Sequence, residues 1–318
     1  MPTPTAPPAE GARTPWEALP AAVRGAVAEF LGGAPVVHAV TQPGGFSPGV
    51  AARVRTAAGR AAFVKAVSAD SNPHSPALHR AEARNAAALP ATVPAPRLLG
   101  SYDDGTWVAL VFEEVDGRQP HIPWRAGELG RVLDAVAALG RALTPSPVDA
   151  PPAAEHLADS FDGWRELAEG PAEALDGLDD WTVSHLAELA GLAAAWPESV
   201  TGDTLAHADL RADNMLLTAD GAVVFVDWPH AVRAVAWFEL LVMLPCVRAQ
   251  GGPDPERVFA AHPLGRDADP ARVTAALAAL TGFFLAHSVR PAPPGLPALR
   301  PFQRAQGDAA LAWLRTRL

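Results

Sequence analysis

An acid, an amide and a second acid stand at fixed steps in the segment His207 to Trp228: Asp209, then Asn214 five residues on, then Asp227 thirteen further. An amide oxygen and a carboxylate are hard donors that can share one hard cation, and Asp209 sits beside them. A hairpin must bring them together. Asp220-Gly221 is a pair favoured in two-residue hairpin loops, with apolar strand-forming runs on both sides. Counting outward sets Leu217 opposite Val224, Met215 opposite Val226 and Asn214 opposite Asp227, with cross-strand Cβ atoms about 5 Å apart.

A second candidate comes from composition. Lys65 is the single lysine in a chain of twenty-four arginines. It sits in a β-like run where Phe63, Lys65 and Val67 share one face. An ammonium is a compact point charge where a guanidinium is a wide fork, so a lysine kept here suits a grip on phosphate.

Together these residues resemble the aminoglycoside phosphotransferase and choline kinase-like family, small-molecule kinases with the protein-kinase fold, from about Val36 to the C-terminus. HADLRADN is similar to the catalytic loop H-x-D-x-x-x-x-N, VDW to the metal-binding D-F-G equivalent, and VKAV to the strand that carries the nucleotide lysine. The resemblance implies that Asp209 accepts the proton of an acceptor hydroxyl and that Asn214 and Asp227 hold Mg2+ on the phosphates of ATP. It also implies that Lys65, steadied by Glu82, grips the α- and β-phosphates. Glu113 and Val115 would bond adenine through their backbone with Phe112 behind it, and Ser47 would lie in the loop covering the phosphates. His207 is expected to be scaffold, and Arg211 either touches substrate or forms a structural ion pair. Three departures from the family pattern are visible: Ala208 replaces the usual glycine, Glu239 stands where an aspartate supports the loop, and Trp228 follows Asp227 with no glycine beside it.

The elements that must position these residues follow from pattern. A Pro-rich segment, 1–13, reads as a disordered tail. Thr14-Pro15-Trp16-Glu17 reads as a capping box opening a helix that runs to Gly32. Short alternating runs at 36–42, 50–56, 60–67, 97–102 and 106–113 read as an antiparallel sheet, interrupted by a helix from Ser75 to before Pro90. After Gly117 long helical patterns take over, at 129–143, 155–167, 181–195, 234–244, 270–287 and 299–318. Strands first and helices after indicate an α+β, bilobal architecture, with a nucleotide-binding lobe at 14–115 and a catalytic and substrate-binding lobe at 116–318.

Other chemistries are weaker. Gly45-Phe46-Ser47-Pro48-Gly49 fits the G-x-S-x-G nucleophile elbow, but Pro48 lacks the N–H that its oxyanion hole requires. A Walker A loop needs glycine before lysine, and Val64 stands there. No Cys/His cluster suggests zinc, and a net charge of −10 without a basic run argues against nucleic acid. One cysteine, no export signal and no membrane span suggest a cytoplasmic enzyme. A catalytically inactive nucleotide-binding relative and a protein kinase are the alternatives, the second disfavoured because no A-P-E segment follows VDW. Through Val115 the chain has nine basic and nine acidic residues, and from Asp116 sixteen and twenty-six. Nine acids lie between Glu155 and Asp180 with Arg165 the only base. Such a run is commonly a solvated helix face; if it lined the cleft, it would favour a cationic acceptor.

Overall fold

The computed structural model describes residues 6–9, 13–46 and 49–318. Five strands, β1 (Val36–Thr41), β2 (Val50–Thr56), β3 (Ala61–Ser68), β4 (Leu98–Asp103) and β5 (Trp107–Phe112), form an antiparallel sheet in the order β1-β2-β3-β5-β4. Alternation decides what each face meets. Ala62, Val64 and Ala66 of β3 pack with Val23 and Val27 of helix α1 (Ala21–Phe30). The opposite face sets Phe63 with Leu110 and Phe112 against Ala83 and Ala86 of α2 (Ser75–Ala88). Lys65 belongs to this second face by the same alternation, paired across the ladder with Ala51 and Leu110.

The chain then becomes mainly helical, with α3 (Ala126–Ala142), α4 (Ala153–His156), α5 (Gly163–Glu169), α6 (Asp180–Ser184), α7 (Leu186–Ala193), α8 (Trp196–Ser199), α9 (Phe238–Ala249), α10 (Pro255–Ala261), α11 (Pro270–Ser288) and α12 (Leu299–Arg315). A small sheet orders β6 (Gly117–Arg118), β8 (Met215–Thr218) and β9 (Val223–Phe225), while β7 (Thr204–Ala206) pairs with β10 (Val232–Ala234). The result is the α+β, protein-kinase-like arrangement that the resemblance implies. Among the described residues α11 is the one helix long and apolar enough to cross a membrane, but 67% of its apolar window is buried inside the protein, the disposition of a core helix.

Several expectations need correction. Thr14 caps nothing: a short 3-10 turn, Trp16–Ala18, follows Pro15, and α1 starts afresh after Pro20, which pushes Leu19 into extended backbone. The segment expected at 155–167 breaks into α4 and α5 around an irregular stretch. The region read as a disordered tail is packed where it is described. Ala6 is buried with Cys246 and Phe302 and donates its N–H to the Ala249 carbonyl, and Arg13 bridges to Gly49.

The most consequential correction is one of register. The hairpin loop is Ala219-Asp220-Gly221, closed by the Thr218 N–H to the Ala222 carbonyl at 3.0 Å, with Gly221 at φ +90°. A three-residue loop ending in a left-handed glycine shifts the pairing by one. Leu217 therefore faces Val223 and Met215 faces Phe225. Asn214 accepts from the Val226 N–H at 3.0 Å, and Asp227 lies one step beyond the predicted rung.

Gly163 on α5 lies so close to α11 that a Cβ there would sit 2.2 Å from the Gly282 carbonyl oxygen. Backbone cannot yield as a flexible side chain does. Gly163→Ala is expected to lower stability by about 1–3 kcal/mol, read as a fall in the urea midpoint; an unchanged midpoint would refute the close crossing.

Candidate active site

Lys65 is the centre of the site because three carboxylate oxygens meet its ammonium. Nζ donates to Glu82 Oε1 and Oε2 at 2.7 and 2.9 Å and to Asp227 Oδ1 at 2.6 Å. Burial alone would lower its pKa, but the charges of Asp227 and Glu82 reverse that and raise it to about 12. Two acids then compete for one cation. Burial drives Glu82 up, to about 7, whereas burial of Asp227 is outweighed by Lys65 and its pKa is lowered. The more exposed Asp227 thus stays ionised.

Asp227 reaches the lysine from a left-handed backbone, φ +71°, just after β9. The turn is held from behind: the Trp228 carbonyl accepts from Asn85 Nδ2 of α2 at 2.8 Å, and the Trp228 indole donates to the Phe225 carbonyl at 3.1 Å. His207 is fully buried, lies against Trp228 with ring centroids 4.5 Å apart at a tilt of 58°, and bonds the Val226 carbonyl through Nε2 at 2.9 Å. Burial lowers its pKa to about 4, so it is neutral near pH 7 and serves as scaffold.

The loop that presents Asp209 is strained and braced. Ala208 has φ +64°, a region that costs a residue with a Cβ roughly 1–2 kcal/mol, which accounts for the glycine usual at this place. Glu239, the first acid of α9, reaches back to accept from the N–H groups of His207 and Ala208, the latter at 3.2 Å. Its longer side chain spans the distance. Burial raises its pKa to about 7 against those two N–H bonds.

Asp209 is likewise pushed upward, first by burial and in opposition to Arg211. Asn214 Nδ2 donates to the Asp209 carbonyl at 2.8 Å and to Oδ2 at 3.1 Å, which orients the amide and fixes the carboxylate. Arg211 forms an ion pair: it donates to Asp209 Oδ1 at 2.9 Å and to both oxygens of Asp213 at 3.0 Å. Its guanidinium lies over Phe46 and Phe302, 5.4 and 5.7 Å from the ring centroids.

One cavity of about 870 Å³ joins these groups. Lys65, Glu82, Asp209, Asn214 and Asp227 all line it, as do Phe112, Glu113 and Val115 at the end under the sheet. The Glu113 N–H is committed to the Arg97 carbonyl at 2.9 Å, and its carboxylate to the Arg97 side chain, so the carbonyl is the group it has for a base edge. Ser47 lies outside the described residues. Sequence reasoning missed Arg13, which lines the cavity, donates to the Gly44 carbonyl of the glycine-rich turn and lies close enough to Asp227 and Asp213 to feel both charges. In a chain with twenty-four arginines nothing local distinguishes it. It missed His156 and His230 for the same want of a signal; both line the opposite end.

The donor set fits a hard cation bound largely by its ligand. No group of three or more His, Cys, Asp or Glu among the described residues could hold a metal alone. An amide and one ionised carboxylate leave most positions to phosphate and water, the usual arrangement for Mg2+.

A model of the phosphotransferase enzyme family matches residues 43–280. Among solved structures, an aminoglycoside phosphotransferase, APH(4)-Ia, in a thermostable form with ADP and hygromycin B, is 17% identical, covering 93% of this chain and 98% of its own, with a TM-score of 0.59. Choline kinase LicA from Streptococcus pneumoniae is 11% identical over 93% of this chain and 98% of its own, also at 0.59. These likenesses concern the fold. No curated protein matches the sequence.

The geometry at Lys65 makes it sensitive to shape as well as charge. Lys65→Arg is expected to weaken binding of a nucleoside triphosphate roughly ten-fold or more, the scale of losing one charged hydrogen bond. Calorimetric titration of the folded variant measures this; wild-type affinity would reduce the lone lysine to an accident of composition.

Proposed function

Because this chain belongs to the phosphotransferase enzyme family, we propose that it transfers the γ-phosphoryl group of ATP to a hydroxyl of a small molecule. The observation that carries the reading is the convergence, in one cavity, of a lysine held between two acids with a separate acid and amide beside it. The nucleotide-bound state of APH(4)-Ia supports a nucleotide in the corresponding place.

In this reading Asp209 accepts a hydrogen bond from the acceptor hydroxyl and takes its proton as the oxygen bonds to the γ-phosphorus. The bond from that phosphorus to the β,γ-bridging oxygen breaks, and ADP leaves with its electron pair. Burial gives Asp209 a pKa above that of a free aspartate, which strengthens it as a base. Asn214 and Asp227 would hold Mg2+, which neutralises charge on the phosphates. Lys65 would exchange part of its contact with Asp227 for phosphate oxygens, while Glu82 keeps the ammonium in place. Arg13, at the glycine-rich turn, would add a second cation on the phosphate side.

Two measurements test the reading. Asp209→Asn should keep the fold and nucleotide binding while lowering kcat by about 100-fold or more, with ADP release as the readout; near-normal turnover would refute the base. Mg2+ should tighten nucleotide binding in the wild type and do so no longer in Asp227→Ala, because the neutral Asn214 cannot hold the ion alone. Equal affinities with and without Mg2+ in the wild type would contradict the metal assignment.

A further inference from the structure

The end of the cavity beyond Asp209 has a composition unlike that of the phosphate end. From Trp228 onward the lining residues include no aspartate, glutamate, lysine or arginine, and neither does the stretch from His156 to Phe161. The wall is aromatic. Phe283 lies 6.0 Å from Phe161 and 5.0 Å from Phe284, and Phe161 continues the cluster to Trp196 at 4.8 Å. Leu280 and Val242 complete an apolar surface.

Most of the negative charge that could meet a polycation is already paired. Asp209 and Asp213 share the guanidinium of Arg211, which leaves that cluster a single net charge. The acidic run between Glu155 and Asp180 points elsewhere, since none of its nine acids lines the cavity. Asp162 accepts from Arg165 at 2.7 Å, Glu166 from Arg290 at 2.9 Å and Asp179 from Arg315 at 2.6 Å. The electrostatic case for a cationic acceptor therefore falls away. Two histidines, His156 and His230, supply polar edges along the apolar wall, and burial holds His156 below the ordinary imidazole pKa; the ring nitrogens of His287 are taken up by the Phe283 carbonyl and Arg290. Desolvating several ammonium groups against such a wall would cost far more than it returns, because each would lose hydration without gaining a carboxylate.

We propose that the acceptor is a neutral or at most monobasic hydroxyl compound with a broad apolar body, which lies against Phe283, Phe284, Phe161 and Leu280 and presents one hydroxyl to Asp209. The proposal rests on the kinase reading and names its substrate class. Apolar area supplies the affinity and the few polar edges fix orientation, as in most small-molecule sites.

The test is calorimetric titration of the full-length protein, with Mg2+ and the non-hydrolysable AMP-PNP, against two sets of hydroxyl compounds. Erythromycin, a monobasic macrolactone, and chloramphenicol, a neutral aryl diol, represent the apolar set; streptomycin and hygromycin B represent the polycations. At least one apolar compound should bind about ten-fold or more tightly than either polycation, with a Kd insensitive to added NaCl, since little of the attraction is screened charge. A Ser160→Asp variant, which adds a carboxylate to the cavity lining, should gain salt-dependent affinity for streptomycin. Tighter polycation binding by the wild type, or binding by neither set, overturns the proposal. Nucleotide affinity is titrated separately: its failure would refute the kinase reading, while the acceptor titration, repeated without nucleotide, still decides what the wall prefers.

Discussion

One buried ammonium ties the molecule together. Lys65 comes from the middle of the five-stranded sheet, Glu82 from the helix on its face and Asp227 from the hairpin of the helical part, and three hydrogen bonds join them. Taking these charges out of water is costly unless each is paired, so the sheet, α2 and the hairpin must keep their mutual placement for any of the three to be tolerated. Asn85, one helical turn beyond Glu82, repeats the link by donating to the Trp228 carbonyl. The groups that would meet nucleotide are thereby the groups that hold the two parts in register.

Strain is concentrated where that register is used. Ala208 and Asp227 are the only residues other than glycine with positive φ among the described residues; the first precedes, and the second bears, a carboxylate that lines the cavity. Rigid surroundings hold both. Glu239 occupies the N–H groups of His207 and of the strained Ala208, while His207 and Trp228 pack against each other beside Asp227. A buried acid and a neutral buried histidine are thus explained by the loop they support, and neither is needed as a proton carrier.

The cavity divides along a similar logic. Its end at Lys65 gathers that lysine, Arg13 and the acids, where opposite charges can be paired across short distances. The lining contributed from Trp228 onward is rich in aromatic rings and includes no aspartate, glutamate, lysine or arginine. Surface acids in the same part of the chain pair with arginines outside the cavity, so net charge, summed over sequence, misrepresents what a bound molecule would meet.

The identity of the chemical groups was legible in the sequence because it depends on residue type and short spacing. The lone Lys65, the Asp209-to-Asn214 step and the strand alternation that puts Lys65 on one face with Phe63 needed no coordinates. Tertiary structure alone decided the rest. Whether the Asp220-Gly221 loop has two residues or three depends on the backbone at Gly221, and that one torsion moved Asn214 from Asp227 to Val226. Arg13 entered the site because the N-terminal segment lies along the glycine-rich turn, a contact between residues far apart in sequence. Which way Glu166 and Glu169 face follows from Gly163 packing against Gly282, which fixes the rotation of α5 on α11. Local patterns follow from local sterics; register, long-range contact and the direction of a helix face are settled only when the elements pack.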